Sequence, residues 1–292
     1  MNSKLKNLLA HSPVIIDGGW GTQLQKNGLA PGACSDEWNL SHPEIVRSIA
    51  ADYVRAGSKI ILTNTFGANR ILLAKYGLES KTAKIVSKGV ELSLEGADSQ
   101  AFVFTSIGPT GKLVSMGEIS VPDIEDVFKE QIFAAVETGA EGIVIETMSD
   151  IEEAATAAHI AVQTGLPVVT TMVFNSGKNK DKTMMGVTIE DALLRLTDEG
   201  IDVFGANCGL GIEEYLPLYE RIRSLTDLPL WIKPNAGMPT LVDGKATYTM
   251  QSDQFAGIAR SFPLRGDVFF GGCCGTTPAF ISALKQAFSK TQ

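Results

Sequence analysis

Histidine is scarce in this chain, and a basic excess is missing. Three histidines, His11, His42 and His159, stand among 292 residues. All fall ahead of a strand-like run or inside helical patterns, so no imidazole is expected at a strand end to act as general base. Acidic residues outnumber basic ones, 33 to 25, for a formal net charge of −8, which disfavours nucleic acid as a partner. The small basic cluster from Lys178 to Lys182 contains Asp181 and follows Asn175-Ser176-Gly177, the composition of a solvated loop. No apolar run approaches the roughly 18 residues of a membrane span. No charged segment followed by an apolar stretch opens the chain, so a cytoplasmic protein without a membrane partner is expected. Cysteine is sparse as well, four in all, and in a reducing compartment such residues serve metals or catalysis more often than bridges.

What the chain does contain is a repeated alternation. Apolar runs rich in β-branched residues occur at 14–17, 59–63, 102–105, 142–146, 167–174, 202–207, 228–233 and 267–272. Amphipathic stretches at about 43–56, 81–96, 123–138, 151–164, 189–199, 213–225, 251–261 and 278–289 lie between or after them. Strand-then-helix units imply a parallel sheet, and nearly continuous apolar strands imply that both faces are covered. Eight units in a chain of this length predict a closed (β/α)8 barrel, the TIM barrel, as one domain over residues 1–292. Ser41-His42-Pro43-Glu44 predicts a capping box with Ser41 as N-cap, and Thr277-Pro278 predicts the start of the last helix.

Barrel sites gather at the carboxyl ends of the strands, and the residues there are unusually polar. Cys208 ends the sixth run in DVFGANCGLG, and the adjacent Cys273 and Cys274 end the eighth in DVFFGGCCGTTP. Single cysteines at such places are often small buried hydrophobes. An adjacent pair is poorly placed to form its own disulfide, and the surrounding glycines give the backbone freedom to turn both sulfurs to one point. Three thiolates predict a zinc ion with its fourth position open, the mark of a catalytic rather than a structural site. Cys34, in PGACSDEW, is left over as an adventitious thiol. Asp17 ends the first strand, Asn64 the second, Glu146 the fourth and Asn207 the sixth, while Asn235 follows the seventh. Each could simply cap a helix. An acid placed directly after an apolar strand, however, calls for a cationic partner. A thiol for the metal and an ammonium for Asp17 and Glu146 together suggest homocysteine as substrate. Its sulfur, held as thiolate, would attack an activated methyl group.

The same segments resemble a known family. DGGWGTQL (17–24), ILTNTFGANR (61–70), IGPTGKL (107–113), IETMSDIEE (145–153), NCGLG (207–211), KPNAGMP (233–239) and GGCCGTTP (271–278) are together similar to the zinc-dependent homocysteine S-methyltransferases, most of all to the homocysteine-binding barrel of cobalamin-dependent methionine synthase. The resemblance implies that Cys208, Cys273 and Cys274 bind zinc and that Asp17, Glu146 and Asn235 contact the amino acid. It also implies a methyltransferase that forms methionine.

Lys233 departs from the family pattern, since many relatives carry glutamate before PNAG. No folate, cobalamin or activation module follows the barrel in this sequence, so the expected methyl donor is a methyl-corrinoid carried by a separate protein. The C-terminal arm of the betaine enzymes is not expected either. Two alternatives stay open: a small donor such as S-methylmethionine, betaine or a dimethyl sulfonium compound, and a non-catalytic barrel that stores zinc or senses thiol oxidation.

Overall fold

Apolar strands can be buried on both sides only if the sheet closes on itself or is covered twice, and this chain does both. A computed structural model describes residues 3–242 and 245–289. The outermost positions of the expected 1–292 domain, 1–2 and 290–292, lie outside the described residues. The strands are β1 (Val14–Ile15), β2 (Ile60–Leu62), β3 (Phe102–Ile107), β4 (Gly142–Met148), β5 (Val168–Met172), β6 (Val203–Gly211), β7 (Leu230–Asn235), β8 (Thr240–Val242), β9 (Lys245–Thr247) and β10 (Val268–Phe270). Eight form one sheet in the order β1-β10-β7-β6-β5-β4-β3-β2, each pair parallel. A bridge between Ile16 and Ile60 and a bond from Lys59 N to Ile15 O of 2.7 Å join β1 to β2. The expected (β/α)8 barrel is thus the observed fold. An antiparallel hairpin, β8 with β9, follows β7 and was not expected.

Strand alternation splits the apolar residues into two sets. Val14, Ile60, Phe104, Trp231 and Phe269 point into the barrel, while Ile15, Ile61, Val103 and Ile143 meet the surrounding helices. Trp231 fills the centre, stacked on Phe104 at 6.5 Å between centroids and tilted against Phe269 at 5.4 Å. Its strand runs so close to β6 that a Cβ on Gly205 would lie 1.9 Å from the Trp231 carbonyl oxygen, so only glycine fits there. A helix at Ser3–Leu9, also not expected, sets Leu5 and Leu9 against the interior side chains and stoppers the amino end of the barrel.

All eight expected helices form, within a few residues of their expected bounds. Ser120, Asp150 and Thr188 cap three of them by accepting from the main-chain nitrogens of Asp123, Glu152 and Asp191. The capping box at Ser41 is corrected by the structure. Ser41 ends a one-turn helix, Trp38–Ser41, and the N-cap of the helix at Pro43–Ala56 is His42, without a side-chain bond. The Ser41 hydroxyl donates instead to Glu37 Oε2 at 2.7 Å; a carboxylate one turn back competes successfully for it. No helix among the described residues is long and apolar enough to cross a membrane.

Candidate active site and metal centre

Two irregularities in the ladders aim the key side chains. The β4–β5 register shifts between Ile145 and Met148, where Glu146 and Thr147 lie and Thr147 takes φ 65°. The β6–β7 register shifts between Asn207 and Gly211, and here Cys208 takes φ 59° and Gly209 φ 73°. Left-handed backbone is costly for a non-glycine residue, and bulges beside functional sites typically re-aim a side chain. Cys208 is held in place by Tyr215, whose hydroxyl donates to its carbonyl oxygen at 2.8 Å.

Cys273 and Cys274 follow β10 through Gly271-Gly272. A Cβ on Gly271 would come within 2.4 Å of the Asp17 carbonyl oxygen, and one on Gly272 within 2.5 Å of the Thr276 side chain. The double glycine therefore lets the turn pass the end of β1. Bonds from Cys273 N to Pro234 O at 2.8 Å and from Ala236 N to Cys274 O at 2.9 Å stitch this turn to the end of β7. The ligand atoms of Cys208, Cys273 and Cys274 all lie within 4.8 Å of one another, with the Cys208 and Cys274 sulfurs 3.9 Å apart. The crowded thiols share protons unequally. Cys208 is drawn well below the usual thiol range because Cys273 and Cys274 hydrogen-bond to it. Those two are pushed up, first by the same bonding to Cys208 and also by burial. Three converging sulfurs with one readily ionised member could hold a soft metal ion. Cys34 stands apart, packed against a separate apolar cluster that includes Ala68 and Leu73.

A cavity of about 370 Å³ opens beside the sulfurs, with Trp20, Phe66, Ser106, Glu146 and Lys233 in its walls. Glu146 is 7% exposed and accepts from Ser106 Oγ at 2.6 Å and, more loosely, from Asn207 Nδ2 at 3.4 Å. Burial pushes its carboxyl pKa up, offset in part by Lys233 and Ser106. Asn207 is held by Thr147 N at 2.8 Å and Thr171 Oγ1 at 2.7 Å; its amide also reaches Cys273 Sγ at 3.8 Å.

Asp17 lies behind the cavity wall, fully buried. Its Oδ1 accepts from Lys233 Nζ at 2.6 Å, and its Oδ2 accepts from Leu62 N at 2.8 Å and Trp20 Nε1 at 2.9 Å. Asn235 lies under the cysteines: its Oδ1 accepts from Cys274 N at 3.1 Å, and its side chain makes a small contribution to drawing the Cys208 thiol down. Glu146 thus shares the cavity with the three sulfurs, Asp17 backs it through Lys233 and Trp20, and Asn235 belongs to the cysteine turn.

Sequence reasoning missed three residues. Ser106 falls one position beyond the expected end of β3. Lys233 looked merely anomalous, although its place at the end of an apolar strand, like that of Glu146, was a usable signal. Tyr248 follows the unexpected hairpin; its ring lies where a Cβ on Gly275 would be, 2.3 Å from the nearest ring atom, and it draws the Cys274 thiol down against the larger upward push of Cys208 and burial.

Residues 14–288 match the family model described as homocysteine S-methyltransferase. The chain is 28% identical to methionine synthase of Mycobacterium tuberculosis over 311 residues, and 28% identical to methionine synthase of Mycobacterium leprae over 308 residues. These alignments cover 98% and 99% of this chain but 25% of each relative, so the chain spans about a quarter of the length of the curated relatives it matches. In architecture it is similar to the homocysteine methyltransferase MmuM from Escherichia coli. The oxidized form gives a TM-score of 0.82 at 23% identity, covering 98% of this chain and 99% of that one. The metallated form gives 0.78 at 22% identity, covering 97% and 99%.

Proposed function

The chain belongs to the homocysteine S-methyltransferase family, and from that premise we propose that it transfers a methyl group to the sulfur of homocysteine, giving methionine. The observation that carries this reading is the convergence of three thiols within 4.8 Å on a cavity that also holds Glu146. We assign the metal as zinc. Thiolates arranged tetrahedrally at about 2.3 Å from zinc lie roughly 3.8 Å apart, close to the 3.9 Å between the Cys208 and Cys274 sulfurs. Zinc held there by Cys208, Cys273 and Cys274 would supply a Lewis acid that keeps a thiol deprotonated near neutral pH.

The chain's own residues do the rest. Glu146, oriented by Ser106 and Asn207, receives the substrate ammonium. Asp17, its charge balanced by Lys233, fixes Lys233 and Trp20 behind it. Asn235, bonded to the Cys274 nitrogen, and Tyr248, packed on Gly275, brace the cysteine turn, an outer layer that tunes metal ligands. Trp20 and Phe66 supply apolar wall that keeps water from the reacting sulfur.

For the methyl donor we favour a methyl-corrinoid on a partner protein, supported by the resemblance of the GWGTQL and TNTFGANR segments to the cobalamin-dependent methionine synthase barrel. An outer basin of about 670 Å³, bounded by Thr22, Lys26, Tyr248 and Gly275, adjoins the cavity and offers room to a large donor. The test is methionine formation by zinc-reconstituted protein with homocysteine and each of methylcobalamin, a methyl-corrinoid protein, S-methylmethionine, betaine and a dimethyl sulfonium compound. Turnover with a corrinoid donor supports the full reading. Turnover with a small donor alone moves the donor assignment, and no methionine with any of them overturns the reaction.

A further inference from the structure

Lys233 is a cation where a pocket for an ammonium would be expected to hold none. It ends β7 with its side chain 3% exposed, paired to an Asp17 side chain that is 0% exposed. A buried ammonium carries three N–H donors, and Asp17 Oδ1, at 2.6 Å, is the one hydrogen-bond acceptor it meets among the described residues. Asp17 has nothing more to give it: its other oxygen is occupied by Leu62 N and Trp20 Nε1. Leaving donors of a buried charge unmatched is expensive, yet the lysine lies in the wall of the cavity shared by Glu146 and the three sulfurs. The remaining donors therefore have one direction in which to find a partner.

We propose that Lys233 is the receptor for the carboxylate of the substrate amino acid, so that Glu146 and Lys233 read the two charges of a zwitterion from opposite signs. This rests on the homocysteine reading above and adds to it the part of the substrate that the Glu146 carboxylate cannot recognise. The arrangement is electrically consistent. Asp17 balances Lys233 while the pocket is empty, and the incoming carboxylate and ammonium together add no net charge. It also makes the lysine a specificity determinant, because a thiol amine lacking the carboxylate would leave the buried N–H groups without acceptors.

The test compares homocysteine with 3-aminopropane-1-thiol, the same molecule without its carboxylate, by isothermal titration calorimetry on zinc-reconstituted protein. The wild type should bind homocysteine roughly 30-fold or more tightly than the amine thiol, the lower end of what truncating one member of a buried charge pair costs. Lys233→Met should bring the two within about 3-fold of each other by weakening homocysteine alone, the amine thiol having no group to lose. Because Lys233→Met strands Asp17, the double variant Asp17→Asn, Lys233→Met is measured alongside. It removes both charges and should show the same loss of discrimination with retained zinc. Equal binding of the two thiols by the wild type would overturn the carboxylate assignment and leave the homocysteine reading standing. Discrimination that persists in both variants would do the same. Failure of the wild type to bind either thiol would overturn both.

Discussion

Asp150 and Glu153 are as thoroughly buried as Asp17 and Glu146, at 1% and 2% exposure against 0% and 7%, and Glu146 shares the single segment IETMSDIEE with them. Their surroundings differ. Glu153 Oε1 accepts from both the nitrogen and the hydroxyl of Thr110 at 2.7 Å, and Asp150 Oδ2 accepts from the nitrogen and hydroxyl of Ser115 at 2.8 and 2.9 Å. Asp150 Oδ1 caps the helix that follows, accepting from Glu152 N at 3.0 Å. This first pair is consumed in pinning the loop after β3. The second pair carries a lysine, and Glu146 faces a cavity with one firm hydrogen bond and one loose one. Burial alone does not mark a site. Capacity for a partner left open toward a cavity does.

The sharpest break in that comparison lies in the sulfurs both acids flank. A Cys273→Ser, Cys274→Ser double variant is expected to lose essentially all bound zinc, read by metal analysis, while Glu153→Gln keeps it; full zinc occupancy in the double variant would remove the metal centre from the account. Next come the acids themselves. Glu146→Gln should weaken homocysteine binding by about 2 to 5 kcal/mol with little change in unfolding. Glu153→Gln should do the reverse, losing about 1 to 3 kcal/mol of stability with affinity intact. A swap of those two phenotypes would invert the assignment. The pH dependence follows the same division. Burial holds the Glu146 carboxyl above its ordinary value, so affinity for an ammonium should fall as pH drops through that raised pKa.

A third buried acid sharpens the contrast on stability. Asp36 is 4% exposed and accepts from Ser35 Oγ at 2.9 Å and Gly67 N at 3.0 Å. Burial pushes its pKa from 3.8 to about 6. The folded chain holds this proton more tightly than the unfolded one. Its stabilising contribution is therefore fully present below pH 3.8 and is lost as pH rises through about 6, a change of about 3 kcal/mol. Asp36→Asn should flatten the stability profile across that window, as measured by denaturant unfolding; an unchanged slope would assign the pH dependence elsewhere. The smallest effect expected is at Cys34. Cys34→Ser should leave zinc content unaltered and stability within about 0.5 kcal/mol, and a loss of metal there would redraw the ligand set.

The barrel was legible because each strand is apolar on both faces and each helix amphipathic, patterns that survive without knowledge of contacts. The cysteines were legible for a related reason: strand ends converge in a barrel whatever the loops do. Lys233 was not, since its meaning depends on Asp17, 216 positions away, and no local pattern announces that pairing. The hairpin that delivers Tyr248 did carry a local signal, the dipeptide Asp243-Gly244 between its two strands, a strong hairpin turn sequence, but flanks of three residues each are too short to stand out as strands by alternation. Ser41 misled because a serine before His-Pro-Glu has the composition of a cap, while the outcome turned on Glu37, a residue outside the motif. Asp17 shows the same limit from the other side. Its position at a strand end was read correctly, but the three groups it accepts from come from three different segments.

The apolar stopper formed by Leu5 and Leu9, beneath an interior filled by Trp231, Phe104 and Phe269, leaves the barrel a room with one door. Whatever reaches the sulfurs must come through the mouth, and whatever is made must leave by it. Glu146 and Lys233, both buried, lie in the wall of the cavity beyond that mouth, so on the proposed reading the amino acid would be seated before anything larger stood in the entrance. On the proposed reaction, a methylated product would depart only after the spent donor had moved aside. The closed end that imposes such an order is built from residues that never line the cavity, the packed rings around Trp231 and the short amino-terminal helix beneath them.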